Sequence, residues 1–187
     1  METAERLIRS AQDLLWERGY VGTSPKAIQL AADAGQGSMY HHFSGKADLA
    51  LAAIERSGAE LRAAVDEQLT AAGTATERIT HYLERDREVL KGCRIGRLTT
   101  DPEVMADPAL RAPVDETFRW LRQRLAEVIA EGKQAGEFPA GLNADEIAAT
   151  VAAVLQGGYV LARAADSEEP FKLAVQGLTS LLLEATR

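Results

Sequence analysis

Ser38-Met39-Tyr40-His41-His42-Phe43, with Gly35-Gln36-Gly37 before it and Ser44-Gly45-Lys46 after it, gathers side chains suited to meet an anion. No carboxylate occurs from Ala34 to Ala47, although Asp and Glu (28) outnumber Lys and Arg (21) and the formal net charge is -7. Tyr40 can offer its hydroxyl to a phosphate oxygen or serve as a half-buried packing ring. Gln36 can pair with adenine, bond to a phosphate, or remain an uncommitted surface side chain. Gly37 permits close backbone approach, or simply eases the start of a helix. Lys46 and the amides near Ser24 stand at helix starts, where the dipole favours phosphate. His41-His42 invites a metal, but adjacent helical positions lie about 100° apart and do not converge on one ion. The third histidine, His81, is distant in sequence, so no metal site is expected.

The elements that position this stretch are helices. Thr3 can cap a first helix with Glu5 in its first turn and Leu7, Ile8, Ala11, Leu14 and Leu15 at 3–4-residue spacing. Gly19 closes it. Ser24-Pro25 opens a second helix whose Ala27, Ile28, Leu30, Ala31 and Ala32 suit close packing. Asp33-Ala34-Gly35 is a turn, and a third short helix runs to about His42. Two short helices across such a turn make a helix-turn-helix, whose second helix enters the major groove. Met39 and Phe43, four apart, are the inward anchors. Gln36, Gly37, Ser38, Tyr40, His41 and His42 remain for the outer side.

Beyond Lys46 the spacing predicts a long fourth helix to about Ala72-Gly73. Thr74-Ala75-Thr76-Glu77 is a capping box, and the helix behind it carries Ile79, Tyr82, Leu83, Val89 and Leu90. Gly92 to Pro108 is irregular, with room for one or two short helical turns. A long helix follows from Ala109 to Gly132–Gly136. Asn143 with Glu146 caps a helix that is apolar on nearly every side, and the last helix, from about Pro170 to Ala185, carries more than one apolar stripe. The expected class is all-α with about nine helices. Two such apolar helices in a polar chain imply a partner surface, most simply a second copy in a two-fold homodimer.

Cys93 is the only cysteine, which excludes an internal disulfide and suits a reducing cytoplasm. No apolar run reaches the roughly 20 residues of a bilayer span, and the acidic N-terminus lacks a secretory pattern. A soluble cytoplasmic protein without a membrane partner is expected. No nucleophile elbow, HExxH pair, P-loop or dinucleotide fingerprint is present, so no enzyme is expected. Glu17, Glu84, Glu116 and Glu127 lie among basic residues as solvated faces.

Glu17-Arg18-Gly19-Tyr20-Val21-Gly22-Thr23-Ser24, Ile28, Ala31-Ala32, Gly37-Ser38-Met39-Tyr40-His41-His42-Phe43 and Lys46-Ala47-Asp48-Leu49 together resemble the TetR family of transcriptional regulators. Gly92-Cys93-Arg94-Ile95-Gly96, Phe118-Arg119-Trp120 and Gly157-Gly158-Tyr159 resemble the C-terminal domains of its YxaF/LmrA-like branch. The resemblance implies a homodimer with DNA on the N-terminal helices and a small molecule inside the C-terminal domain. It places DNA contacts at Gln36, Ser38, Tyr40 and His41, and phosphate contacts at Thr23 and Lys46. Gln36 departs from the family's frequent basic residue, and Gly35 from its serine-like cap.

The expected organisation is a helix-turn-helix domain over 1–46 and a ligand-binding and dimerisation domain over 47–187. The DNA-binding set is Thr23, Ser24, Gln36, Gly37, Ser38, Tyr40, His41 and Lys46. Candidates for lining a ligand pocket are Tyr82, Leu98, Phe118, Trp120, Leu121, Gln156 and Tyr159, each of which also fits plain core. The partners are double-stranded DNA with a palindromic operator, a second copy through the helices around 144–164 and 170–185, and a small-molecule effector. No cofactor is expected. The competing function is a helical small-molecule-binding protein that never meets DNA.

Overall fold

The computed structural model describes residues 2–185; Met1, Thr186 and Arg187, at the ends of the expected domains, lie outside them. Among the described residues there are nine α-helices, one 3-10 helix and no strand. The helices are α1 (Thr3–Arg18), α2 (Pro25–Ala31), α3 (Gln36–His42), α4 (Lys46–Leu69) and α5 (Ala75–Glu84). After the 3-10 helix Gly96–Thr100 come α6 (Pro102–Ala106), α7 (Pro108–Gln134), α8 (Ala144–Ala165) and α9 (Glu169–Ala185). Packing divides them into two units. The first holds the residues up to Glu60 together with Arg94–Thr117; the second holds Leu61–Cys93 and the chain from Phe118 onward. Helices α4 and α7 contribute residues to both.

In the first unit, α1 packs against α2, α3 and the 3-10 helix. Its inward face is Leu7, Ala11, Leu14 and Leu15. Thr3 is already helical; Glu2 holds the cap position, with no side-chain cap bond. Gly19 ends the helix at φ 73°, donating its N–H to Leu15 O, a backbone state that any other residue would occupy under strain. Ser24 Oγ accepts the Ala27 N–H at 3.2 Å, and Pro25 opens α2. Ile28 is buried, but Leu30 is 84% exposed. The two lie about 200° apart on a helix of two turns, so only one of them can face inward. The turn to α3 passes through Asp33 in the left-handed region, and Ala34 N–H closes back on Gln29 O. Arg6 from α1 donates Nε to Ala32 O at 2.9 Å and Nη2 to Asp33 O at 3.2 Å, satisfying the carbonyls that the end of α2 leaves open.

In the second unit, the Thr74–Glu77 capping box starts α5. Helix α5 stops at Glu84, short of the expected reach to Val89 and Leu90. Arg85 turns extended there, and the Arg87 guanidinium donates to the carbonyls of Tyr82, Leu83 and Arg85, taking the acceptors a further turn would have used. Glu137 accepts the N–H groups of Ala75 and Thr76, each at 3.1 Å. Asn143 caps α8 by accepting from Asp145 and Glu146. Helices α8 and α9 pack side by side. Gly158 makes that contact possible, because a Cβ there would stand 2.9 Å from the Phe171 ring. Leu69, Ile79, Leu83, Leu125, Val128, Ile129, Val151 and Leu155 fill the core between.

Candidate functional site

Helix α3 has two faces. Met39 is fully buried and Phe43 nearly so, fastening the helix to the first unit. Gln36, Gly37, Tyr40, His41 and His42 are exposed and Ser38 is half-buried. Beyond Gly37 the space is open, since an added Cβ would meet nothing within 4 Å. No packing constraint of the chain itself therefore asks for glycine there. Asp48, the first carboxylate after the stretch, accepts the N–H (2.8 Å) and hydroxyl (3.2 Å) of Ser44 and so closes the start of α4. Lys46 holds its ammonium 3.9 Å from the centroid of the Tyr20 ring, which fixes the cation while leaving it half-exposed. Ser24 is exposed at the head of α2.

Thr23 has a different job from the expected phosphate contact. It is 2% exposed, and its hydroxyl donates to Gly19 O (2.7 Å) and Leu14 O (3.2 Å). A hydroxyl with its one proton spent inside the fold cannot also reach a phosphate, so Thr23 pins the α1–α2 connection. Sequence reasoning missed the other fastening of that connection. Asp101 is 7% exposed. Its Oδ2 accepts the N–H groups of Tyr20 (2.7 Å) and Val21 (3.0 Å). Its Oδ1 accepts those of Glu103 (3.1 Å) and Val104 (3.3 Å), capping α6. One carboxylate thus ties the turn ahead of the helix-turn-helix to α6.

A second candidate site lies wholly inside the second unit. Tyr82, Phe118, Leu121, Gln156 and Tyr159 converge on a cavity of about 20 Å³, together with Leu61, Arg85, Arg87, Cys93 and Leu155. Leu98 is not among them, because it is buried in the core of the first unit. Trp120 packs against the outside of the second unit's core, on another side of α7 from Phe118 and Leu121. Burial pushes the Tyr82 hydroxyl above its ordinary value and the Tyr159 hydroxyl up to about 12, so both phenols stay protonated donors at neutral pH. Desolvation pulls the Arg87 guanidinium below its ordinary value, although it remains charged. Sequence reasoning missed Arg85 and Arg87: with the helix expected to reach Val89 and Leu90, they do not read as cations past its C-terminus, where such groups meet the last carbonyls.

Comparison with known proteins decides the class. The family profile for bacterial regulatory proteins of the tetR family matches residues 7–53, and the tetracyclin repressor-like C-terminal domain matches residues 73–178. The chain belongs to the TetR family. What matches its C-terminal segment is the tetracyclin repressor-like domain, and the finer YxaF/LmrA-like resemblance rests on the residues quoted for it alone. One relative is the HTH-type transcriptional repressor DhaR of Mycobacterium sp. strain GP1. It is 24% identical over 185 residues, covering 97% of this chain and 93% of that one. A TetR-family regulator from Cytophaga hutchinsonii superposes with a TM-score of 0.88 at 23% identity, over 98% of this chain and 94% of that one. A TetR regulator from Chloroflexus aurantiacus does so with a TM-score of 0.87 at 26% identity, over 99% and 96%. Members of the TetR family are transcriptional regulators, not enzymes, and the helix-turn-helix of α2 and α3 lies within the stretch that the tetR profile matches.

Proposed function

We propose that this protein is a ligand-responsive repressor that holds a palindromic operator as a homodimer and releases it when a small molecule enters the cavity of the second unit. The observation that carries the DNA-binding half is the carboxylate-free outer face of α3, with Met39 and Phe43 spent on anchoring it. Residues 1–46 would bind DNA and 47–187 would take the ligand and the second copy. Gln36 and Ser38 meet base edges or phosphates, Tyr40 and Lys46 meet phosphates, and the open side of Gly37 admits the DNA backbone. The name of the relative DhaR as a repressor supports repression over activation.

The dimer face assigned here is formed by α8 and α9. Val160, Leu161, Leu173 and Leu181 are 66%, 55%, 58% and 67% exposed. By length and a mean hydropathy of 1.4, α8 alone among the described helices could also span a bilayer. Its partly buried face, its packing against α9 and the presence of Gln156 in the cavity favour a second copy of the chain as its cover. Two recognition helices on a two-fold axis read half-sites a helical turn or a multiple apart, hence the palindrome. Such a regulator works in the cytoplasm. Effector and operator must weaken each other reciprocally, because the ligand can only shift the protein by what it gains in one state over the other.

A gel-shift titration with the DNA upstream of the protein's own gene tests this. Tyr40→Phe and Lys46→Ala should each weaken binding across all sequences, with the lysine change lowering the salt slope by about 1. Unchanged affinity in both variants would refute the proposed contacts. No shift with any upstream fragment would favour a small-molecule-binding protein without DNA function.

A further inference from the structure

The cavity of the second unit is positive. Its lining contains no carboxylate, in a chain where acidic residues outnumber basic ones 28 to 21. Arg87 spends both terminal nitrogens on the carbonyl oxygens at the end of α5, with Nη1 at 2.7 Å from those of Leu83 and Arg85. The Arg85 Nε–H is buried and has no hydrogen-bond partner. Among the described residues neither arginine makes an ion pair. Both guanidiniums instead lie against the Tyr82 ring, at 5.3 and 5.4 Å from its centroid.

Arg85 as a whole is half-buried, but a buried N–H is costly unless something supplies its missing acceptor. We propose that the missing acceptor is the effector, and that the effector is a small organic carboxylate. This rests on the cavity being the effector site of a regulator, as proposed above. The carboxylate accepts from Arg85 and from the Tyr159 or Tyr82 hydroxyl, while its hydrocarbon part meets Phe118, Leu121 and Leu155. A guanidinium presents a planar fork that matches a carboxylate, whereas a cationic ligand would meet two positive charges and a neutral one would bring an acceptor without a countercharge. The cavity as it stands has room for about one water molecule. Arg85 and Arg87 also line a wider depression of about 250 Å³ on the side of Phe171, Lys172 and Val175. Its carboxylates are Glu84, Asp86 and Glu168, the last paired with Lys172 at 3.0 Å. The two arginines are thus shared by the cavity and the depression.

Calorimetry on the full-length protein tests the assignment, with propionate, butyrate, hexanoate and benzoate each set against its own primary amide and the corresponding amine. At least one acid should bind, its amide and amine should not, and Arg85→Gln should weaken the acid by about tenfold or more, the loss of one charged hydrogen bond. Tyr159→Phe leaves both arginines in place and should weaken the same acid more modestly, which serves if Arg85→Gln fails to fold. An amide or amine binding as well as its acid, no acid binding at all, or an Arg85→Gln variant of unchanged affinity would each overturn the proposal. The operator gel shift separates it from the function it rests on. Acids that bind without releasing DNA would refute the switch and leave the anion site. A neutral compound that releases DNA while the acids stay inert would refute the anion site and leave the switch.

Discussion

Replacing Asp101 by asparagine removes a charge and one of two acceptor oxygens at nearly constant volume. In the folded protein each carboxylate oxygen serves a pair of backbone N–H groups: Tyr20 and Val21 on one side, Glu103 and Val104 on the other. However the amide is turned, one pair loses its acceptor and faces an NH2 group instead. Hydrogen bonds to charged groups contribute about 1.5–3 kcal/mol each, and a donor left buried costs a similar amount, so the change should cost about 3 kcal/mol. For a chain of this size that lowers Tm by roughly 6–12 °C. Asp107→Asn is the control, since Asp107 accepts only the Ala109 N–H, at 2.9 Å near the start of α7, and asparagine caps as well as aspartate. Thermal melts followed by circular dichroism at neutral pH give both numbers. A Tm for Asp101→Asn within a degree or two of the parent, or a loss in Asp107→Asn as large, would refute the clamp.

Gly37→Ala should leave Tm unchanged or slightly raised, because its Cβ enters open space and alanine favours the helix by about 0.5–1 kcal/mol, yet it should weaken operator binding; undiminished affinity in a gel shift would remove Gly37 from the DNA face. Tyr159 ionises at about 12 in the folded chain against about 10 unfolded, so between those values the native state holds more protons and stability falls as pH rises through them. Urea midpoints at stepped alkaline pH should decline over that interval less steeply in Tyr159→Phe, and parallel curves would contradict it. Leu161→Glu combined with Leu181→Glu should turn a dimer into a folded monomer by light scattering; a persistent dimer would move the interface off α8 and α9.

Local chemistry accounts for what could be read without coordinates. The Ser24-Pro25 opening, the Thr74–Glu77 box, the Asn143 cap and the glycine after α1 all act within a few residues, so sequence alone determined the starts of α2, α5 and α8 and the end of α1 to within a turn, though not the end of α5. The four-residue spacing of Met39 and Phe43 likewise determined which face of α3 looks outward. Tyr82, Phe118, Leu121, Gln156 and Tyr159 could be named for a cavity because large or polar side chains on apolar helices are rare enough to be noticed. Tertiary structure decided whatever depended on partners far along the chain. Asp101 meets Tyr20 and Val21 across about eighty residues, a separation that carries no periodic signal. Leu98 and Leu121 look alike in sequence, yet packing placed one in each unit. Leu30 reads as core and is exposed, Thr23 reads as surface and is buried, because a two-turn helix and its loop choose their inward side only when α1 docks on them. Nothing in the sequence sets Arg85 and Arg87 apart, since the helix is expected to run past them to Val89 and Leu90. Only the folded second unit puts the two arginines against the Tyr82 ring, at a cavity whose own lining holds no carboxylate.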